Sequence, residues 1–115
     1  MARVRTHAIS TGEGPVQVLT LARRGEYYVH RHGLNGSYTV THGPTGLAVR
    51  QGLASLDLAV HFASYVATRA RRTPDDTPFG AAGYDAVAAT VREAVRGYRT
   101  PAWLVSRARA AGGAE

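Results

Sequence analysis

The sequence predicts an α+β domain: an antiparallel β-meander of three to four strands from the N-terminal half, packed by two to three C-terminal α-helices. Three observations carry this. Strand-forming residues and turn signals fill the first half, and apolar residues at helical spacing fill the second. Between them, the segment EYYVHRHGLNGSYTVTHGPTGLAVRQ (residues 26–51) reads as two hairpins sharing a central strand. Strands followed by helices is the element order of this fold class.

Residues 3–9 form a candidate first strand, and the turn-rich run Ser10 to Pro15 a loop. Residues 16–22 (VQVLTLA) read as a strand. Arg23-Arg24-Gly25 then fits a three-residue hairpin loop with glycine in the left-handed position. This loop opposes Leu21 to Tyr27 and Leu19 to Val29, with both leucines on the apolar face. A two-residue loop slips the register and turns both leucines to the polar face. Asn35-Gly36 is the strongest short hairpin signal, and a two-residue turn there opposes Arg31 to Val40 and His30 to Thr41. Gly43-Pro44-Thr45-Gly46 is a further turn, placing Val40 against Val49 and Thr39 against Arg50. One face then collects Tyr27, Val29, Tyr38, Val40, Leu47 and Val49. The other collects Tyr28, His30, His32, Thr39, Thr41 and Arg50.

Ser55 is the expected N-cap of a first helix, with Asp57 at the positive end of its dipole. Leu58, Phe62, Tyr65 and Val66, flanked by alanines, give it a broad apolar face ending near Arg72, before Thr73-Pro74. A second helix is expected over residues 84–99, weakened at Gly97. Thr100-Pro101 begins a third, an N-cap followed by proline at the first helical position. Trp103 and Leu104 anchor it, and Trp103 is expected to seal the core. Residues 1–110 form one domain, and residues 111–115 a flexible tail.

With 115 residues there is chain for a single core. There are no cysteines, which removes disulfides, thiolate metal sites and cysteine catalysis. The first residues carry no apolar signal region, and no apolar run is long enough to span a bilayer. A cytoplasmic protein without membrane contact is expected. The net charge is +6 and the pI about 10.5, which suits a polyanion or an acidic protein surface. All 14 basic residues are arginine, and lysine is absent. That bias points to a GC-rich genome of the actinobacterial kind, or to a phage or plasmid accessory gene. It dilutes the meaning of the arginine count, although arginine's fork binds two phosphate oxygens at once.

The polar sheet face supplies the first functional reading. A three-stranded antiparallel sheet fits the DNA major groove, with side chains from one face reaching base edges. Arg50, Thr39, Thr41, His30, His32 and Tyr28 have the residue types required. Arg23 and Arg24 in the adjacent turn are placed for phosphates, as are Arg69, Arg71 and Arg72 at the end of the first helix. The latter three also suit the negative end of the helix dipole. The element order is similar to that of the arm-binding domains of phage integrases, on topology and not on any motif.

The expected function is therefore a small, basic, non-enzymatic nucleic-acid-binding protein, with DNA favoured over RNA. The alternative is a protein-interaction module or inhibitor docking on an acidic partner, and a second copy of the chain is a further candidate partner for the polar face. His30 and His32 share one strand face but lack a third ligand, so no metal or cofactor is expected. Arg92, Arg96 and Arg99 with Glu93 read as an exposed charged helix face. Asp75-Asp76 reads as a solvated turn. No nucleophile elbow, phosphate-binding loop, dinucleotide fingerprint or zinc-protease motif is present.

Overall fold

The computed structural model describes residues 5–11, 13–31 and 36–112. Six strands are followed by three helices: β1 (Arg5–Thr11), β2 (Gly14–Thr20), β3 (Ala22–Arg24), β4 (Tyr27–Arg31), β5 (Tyr38–His42), β6 (Ala48–Leu53), α1 (Leu56–Arg69), α2 (Ala81–Val95) and α3 (Ala102–Gly112). The α+β class and the antiparallel meander are as the sequence implied. A four-stranded sheet has the order β3-β4-β5-β6, and β1 pairs with β2 in a separate hairpin. Three layers result. The helices cover one face of the sheet, with α1 against all four strands, and the hairpin covers the other face at β4.

The core lies between sheet and helices. Tyr27, Val29 and Val40 of the sheet are buried with Ala59, Phe62, Ala63 and Val66 of α1 and Val87 and Val91 of α2. The small side chains of Ala59 and Ala63, both fully buried, let α1 lie close to the strands. Tyr98 closes the far side, its ring edge-on to Phe62 and Tyr65 at 5.2 and 4.8 Å.

Strand pairing differs from the sequence reading in three places. The β3–β4 turn is the two residues Gly25-Glu26, since Arg24 faces Tyr27 and Ala22 faces Val29. Gly25 has φ +57, at the position a type II′ turn reserves for glycine. Leu19 and Leu21 are therefore 45% and 41% exposed, not in the core. The reason is tertiary. Residues 14–24 run as one extended segment that bends at Leu21: β2 pairs with β1, β3 pairs with β4, and Glu26 in the turn is tied to the α1–α2 linker.

In the next hairpin, Arg31 faces Tyr38 and Val29 faces Val40, two positions from the expected register. An even shift keeps every side chain on its face. The Asn35 end of that turn lies outside the described residues. At β5–β6, Thr41 faces Ala48 in the expected register, but irregularities follow, and Val40 faces Arg50 and Tyr38 faces Leu53. An extra residue in one strand reverses which face the following side chains occupy. Arg50 is thereby moved to the helix side.

The helices begin and end for local reasons. Ser55 Oγ accepts from the Leu58 N–H at 3.1 Å and caps α1. The helix ends at Arg69, short of Arg72, because the linker's N–H groups find partners elsewhere: Arg71 N–H donates to Thr90 Oγ1 and Thr73 N–H to Glu26. α2 starts at Ala81, three residues before the expected start, and stops at Val95, with Gly97 at φ +77 just beyond. The third helix continues to Gly112, into the expected tail. Leu104 is the buried anchor of α3, while Trp103 is 62% exposed and does not seal the core.

Candidate nucleic-acid interface

The sheet face opposite the helices carries the expected polar residues, but the β1–β2 hairpin lies on it. His30, Thr39 and Thr41 are buried, and Tyr28 is half-buried. Tyr28 and Thr41 are cross-strand partners, as are His30 and Thr39, so their side chains share the face. His7 of β1 sits edge-on to Tyr28 at 4.2 Å and to His30 at 5.3 Å. The backbone N–H of Ser10 donates to the Gly46 carbonyl at 3.1 Å. In this conformation the buried residues do not offer the open platform expected from the sequence. The signal was in the chain: the segment before Arg23 is long enough to fold back, and a sheet face with threonines and imidazoles accepts a polar cover.

The hydrogen bonds define the neutral tautomer of His30. His30 Nδ1 lies 3.0 Å from the Arg31 carbonyl and must donate to it, so Nε2 accepts from Thr41 Oγ1 at 2.7 Å. His7 Nδ1 bonds Thr20 Oγ1, and its buried Nε2 has no hydrogen-bond partner among the described residues. Burial, and then the neighbouring His30, lower the His7 pKa to about 4. The folded state thus binds fewer protons than the unfolded state between pH 4 and 6.5. Stability is complete above pH 6.5 and declines as pH falls toward 4. The urea midpoint should be lower at pH 5 than at pH 7.5, and His7→Gln should narrow that gap. A midpoint that rises on acidification would contradict this placement of His7.

On the opposite face a relay joins three connections. Thr73 Oγ1 donates to a Glu26 carboxylate oxygen at 2.5 Å, and the Thr73 N–H donates to the other at 2.9 Å. With its hydroxyl hydrogen so used, Thr73 accepts from His42 Nε2 at 3.0 Å. His42 Nδ1 then accepts from Thr45 Oγ1 at 2.8 Å. His42 is fully buried, and desolvation lowers its pKa against the opposing pull of Glu26, whose carboxylate is 3.5 Å away. The relay ties the β3–β4 turn, the β5–β6 turn and the α1–α2 linker together. Burial, and then Glu26, push the Tyr27 phenol up to about 12. Sequence reading missed this relay. Glu26 and Thr73 are 47 residues apart and form no local motif.

The relay holds the β3–β4 turn, which follows Arg23 and Arg24, to the linker that carries Arg71 and Arg72. An ideal Cβ on Gly25 would lie 3.3 Å from the Ala67 Cβ, so the turn following Arg23 and Arg24 rests against the last turns of α1. Arg23 and Arg72 line one cleft of about 480 Å³, and Arg69, Arg71 and Arg72 line a second of about 590 Å³. These four arginines and Arg24 are exposed. The Arg69 guanidinium lies 3.8 Å from the centre of the Tyr65 ring, and that of Arg23 5.3 Å from the centre of Tyr28. Acidic neighbours are fewer: Asp75 is 3.6 Å from Arg72 in an exposed pair, Glu93 borders the second cleft, and Glu26 is turned into the relay. Arg50 stands apart on the far edge strand, its guanidinium 4.5 Å from the centre of the Phe62 ring. His32 lies outside the described residues.

Among the described residues no cluster of three or more histidines or acids is placed to hold a metal ion. None of the described helices is long and apolar enough to cross a membrane. No protein-family model, no curated protein and no solved structure matches the chain.

Proposed function

We propose that the chain is a small non-enzymatic nucleic-acid-binding protein, with DNA the preferred partner. The contact surface on this reading is the arginine rim at the end of α1, not the covered sheet face. The observation that carries it is convergence. Arg23 comes from the β3–β4 hairpin and Arg69, Arg71 and Arg72 from the end of α1 and its linker some 45 residues later, and two clefts that share Arg72, Thr73 and Pro74 bring these four together, with Arg24 next to Arg23 in the chain. Guanidinium groups suit phosphate by charge and by their two-pronged geometry. Backbone contacts of this kind position a protein on a duplex without reading sequence.

Fluorescence anisotropy with a random-sequence duplex at low salt tests the reading. Arg23→Ala combined with Arg24→Ala should weaken binding about tenfold, as expected for losing two phosphate contacts. Arg50→Ala, on the remote edge, should change binding less than twofold. Equal weakening by both variants would mean that the rim is not the contact surface.

A second reading, a module docking on an acidic protein partner, draws support from the exposed Trp103 and from Val16, Leu19 and Leu21 on the hairpin segment. Aromatic and aliphatic side chains of this kind anchor protein interfaces. A stoichiometric complex that survives nuclease treatment and is lost in Trp103→Ala would favour it over the first reading.

A further inference from the structure

We propose that the cleft between the β3–β4 turn and the end of α1 is a pocket for a terminal phosphomonoester of a nucleic-acid strand. This rests on the nucleic-acid reading above and names the group that the rim would hold most tightly. The cleft has about 480 Å³, room for a phosphate and part of its nucleotide.

Its two cations stand on different elements, Arg23 on β3 and Arg72 on the linker after α1. Arg23 is pre-positioned. Its Nε donates to the Gly25 carbonyl at 2.9 Å and its guanidinium stands by the Tyr28 ring, while its two terminal nitrogens make no hydrogen bond among the described residues. A fork held by its Nε and a ring loses little freedom on meeting a ligand.

Two carboxylates also border the cleft, and they differ. Glu26 has both oxygens engaged by Thr73 and stands beside His42, so it acts as part of the wall. Asp75 is almost fully exposed and meets Arg72 only at 3.6 Å, a weak surface pair that a doubly charged ligand can replace. A phosphomonoester carries more charge than an internal phosphodiester and suits two guanidinium groups. Pro44 and Pro74 stiffen the remaining walls. An internal phosphate must send two flanking nucleotides out of this cleft, a terminal phosphate only one.

The experiment is a competition. A labelled 5′-hydroxyl duplex bound to the full chain is displaced by unlabelled single-stranded 12-mers carrying a 5′-phosphate, a 3′-phosphate or neither, and by inorganic phosphate. One phosphorylated end should compete about tenfold better than the unphosphorylated strand. That advantage should fall below twofold in Arg23→Ala. In Arg23→Lys, which keeps the charge and loses the fork, it should fall by at least half, and circular dichroism checks that both variants fold. Equal competition by all three strands, with binding still salt-dependent, would overturn the pocket and leave the rim intact. No binding by any strand or duplex would overturn both. Inorganic phosphate competing as well as the phosphorylated strand would show a free-phosphate site and overturn the strand-end assignment.

Discussion

Phe62→Ala is expected to cost about 3–5 kcal/mol of unfolding free energy, the range for removing a large aromatic from a packed core. Phe62 is 1% exposed and central to the contact between α1 and the sheet. Its ring meets Tyr98 edge-on at 5.2 Å and carries the Arg50 guanidinium at 4.5 Å on the sheet side. Truncation therefore removes buried area, leaves a cavity and frees two neighbours at once. A domain of this size has only about 5–15 kcal/mol in total, so the variant should sit near the edge of folding at 37 °C. Urea unfolding followed by far-ultraviolet dichroism checks this. The midpoint should drop with little change in slope. A loss under 1 kcal/mol would mean that Phe62 is not at the centre of the core.

His42→Ala is expected to cost about 2–4 kcal/mol, from a cavity and from partners left unpaired. His42 is the middle of the relay from Thr45 to Glu26, and both its nitrogens are used. Its loss removes the donor to Thr73 and the acceptor for Thr45. The consequence should be local as well as global. Amide exchange of Thr73 and of the β3–β4 turn should quicken more than that of β5, because His42 buttresses the Thr73–Glu26 pair that pins the linker to the turn. If exchange rises uniformly, His42 is only a packing residue and the latch is not a separate unit. Because Glu26 follows the Arg23 turn and Thr73 follows Arg72, the variant should also bind DNA more weakly than its stability loss alone explains.

The fold class was legible because turn chemistry and spacing agreed. Asn35-Gly36, Gly43-Pro44 and Ser55 each mark a boundary by a local rule, and local rules survive in the folded chain. What failed were choices that distant contacts decide. Burying two leucines is favourable, which is why the sequence alone places Leu19 and Leu21 in the core. Glu26, tied to Thr73, and the pairing of β1 with β2 outweigh that local gain. Arg50 changed face through an irregularity in β6 that no residue type announces. The polar face was correctly sorted for Tyr28, His30, Thr39 and Thr41, but nothing in their alternation told that β1–β2 would fold over it.

The arginine rim is half-visible in the sequence. Arg23 and Arg24 are candidates as a turn pair, and Arg69, Arg71 and Arg72 as a separate group that the helix dipole also explains. The convergence of two segments on neighbouring clefts depends on the close approach of Gly25 to Ala67, a feature of the folded chain alone.

The salt dependence of duplex binding tests the central claim most directly. If the rim neutralises four or five phosphates, log K should fall against log salt with a slope of about −4, at about 0.9 per phosphate contact. Replacing Arg69, Arg71 and Arg72 by alanine should reduce that slope by about 2 to 3. A slope unchanged by these replacements, or no duplex binding at low salt, would contradict it.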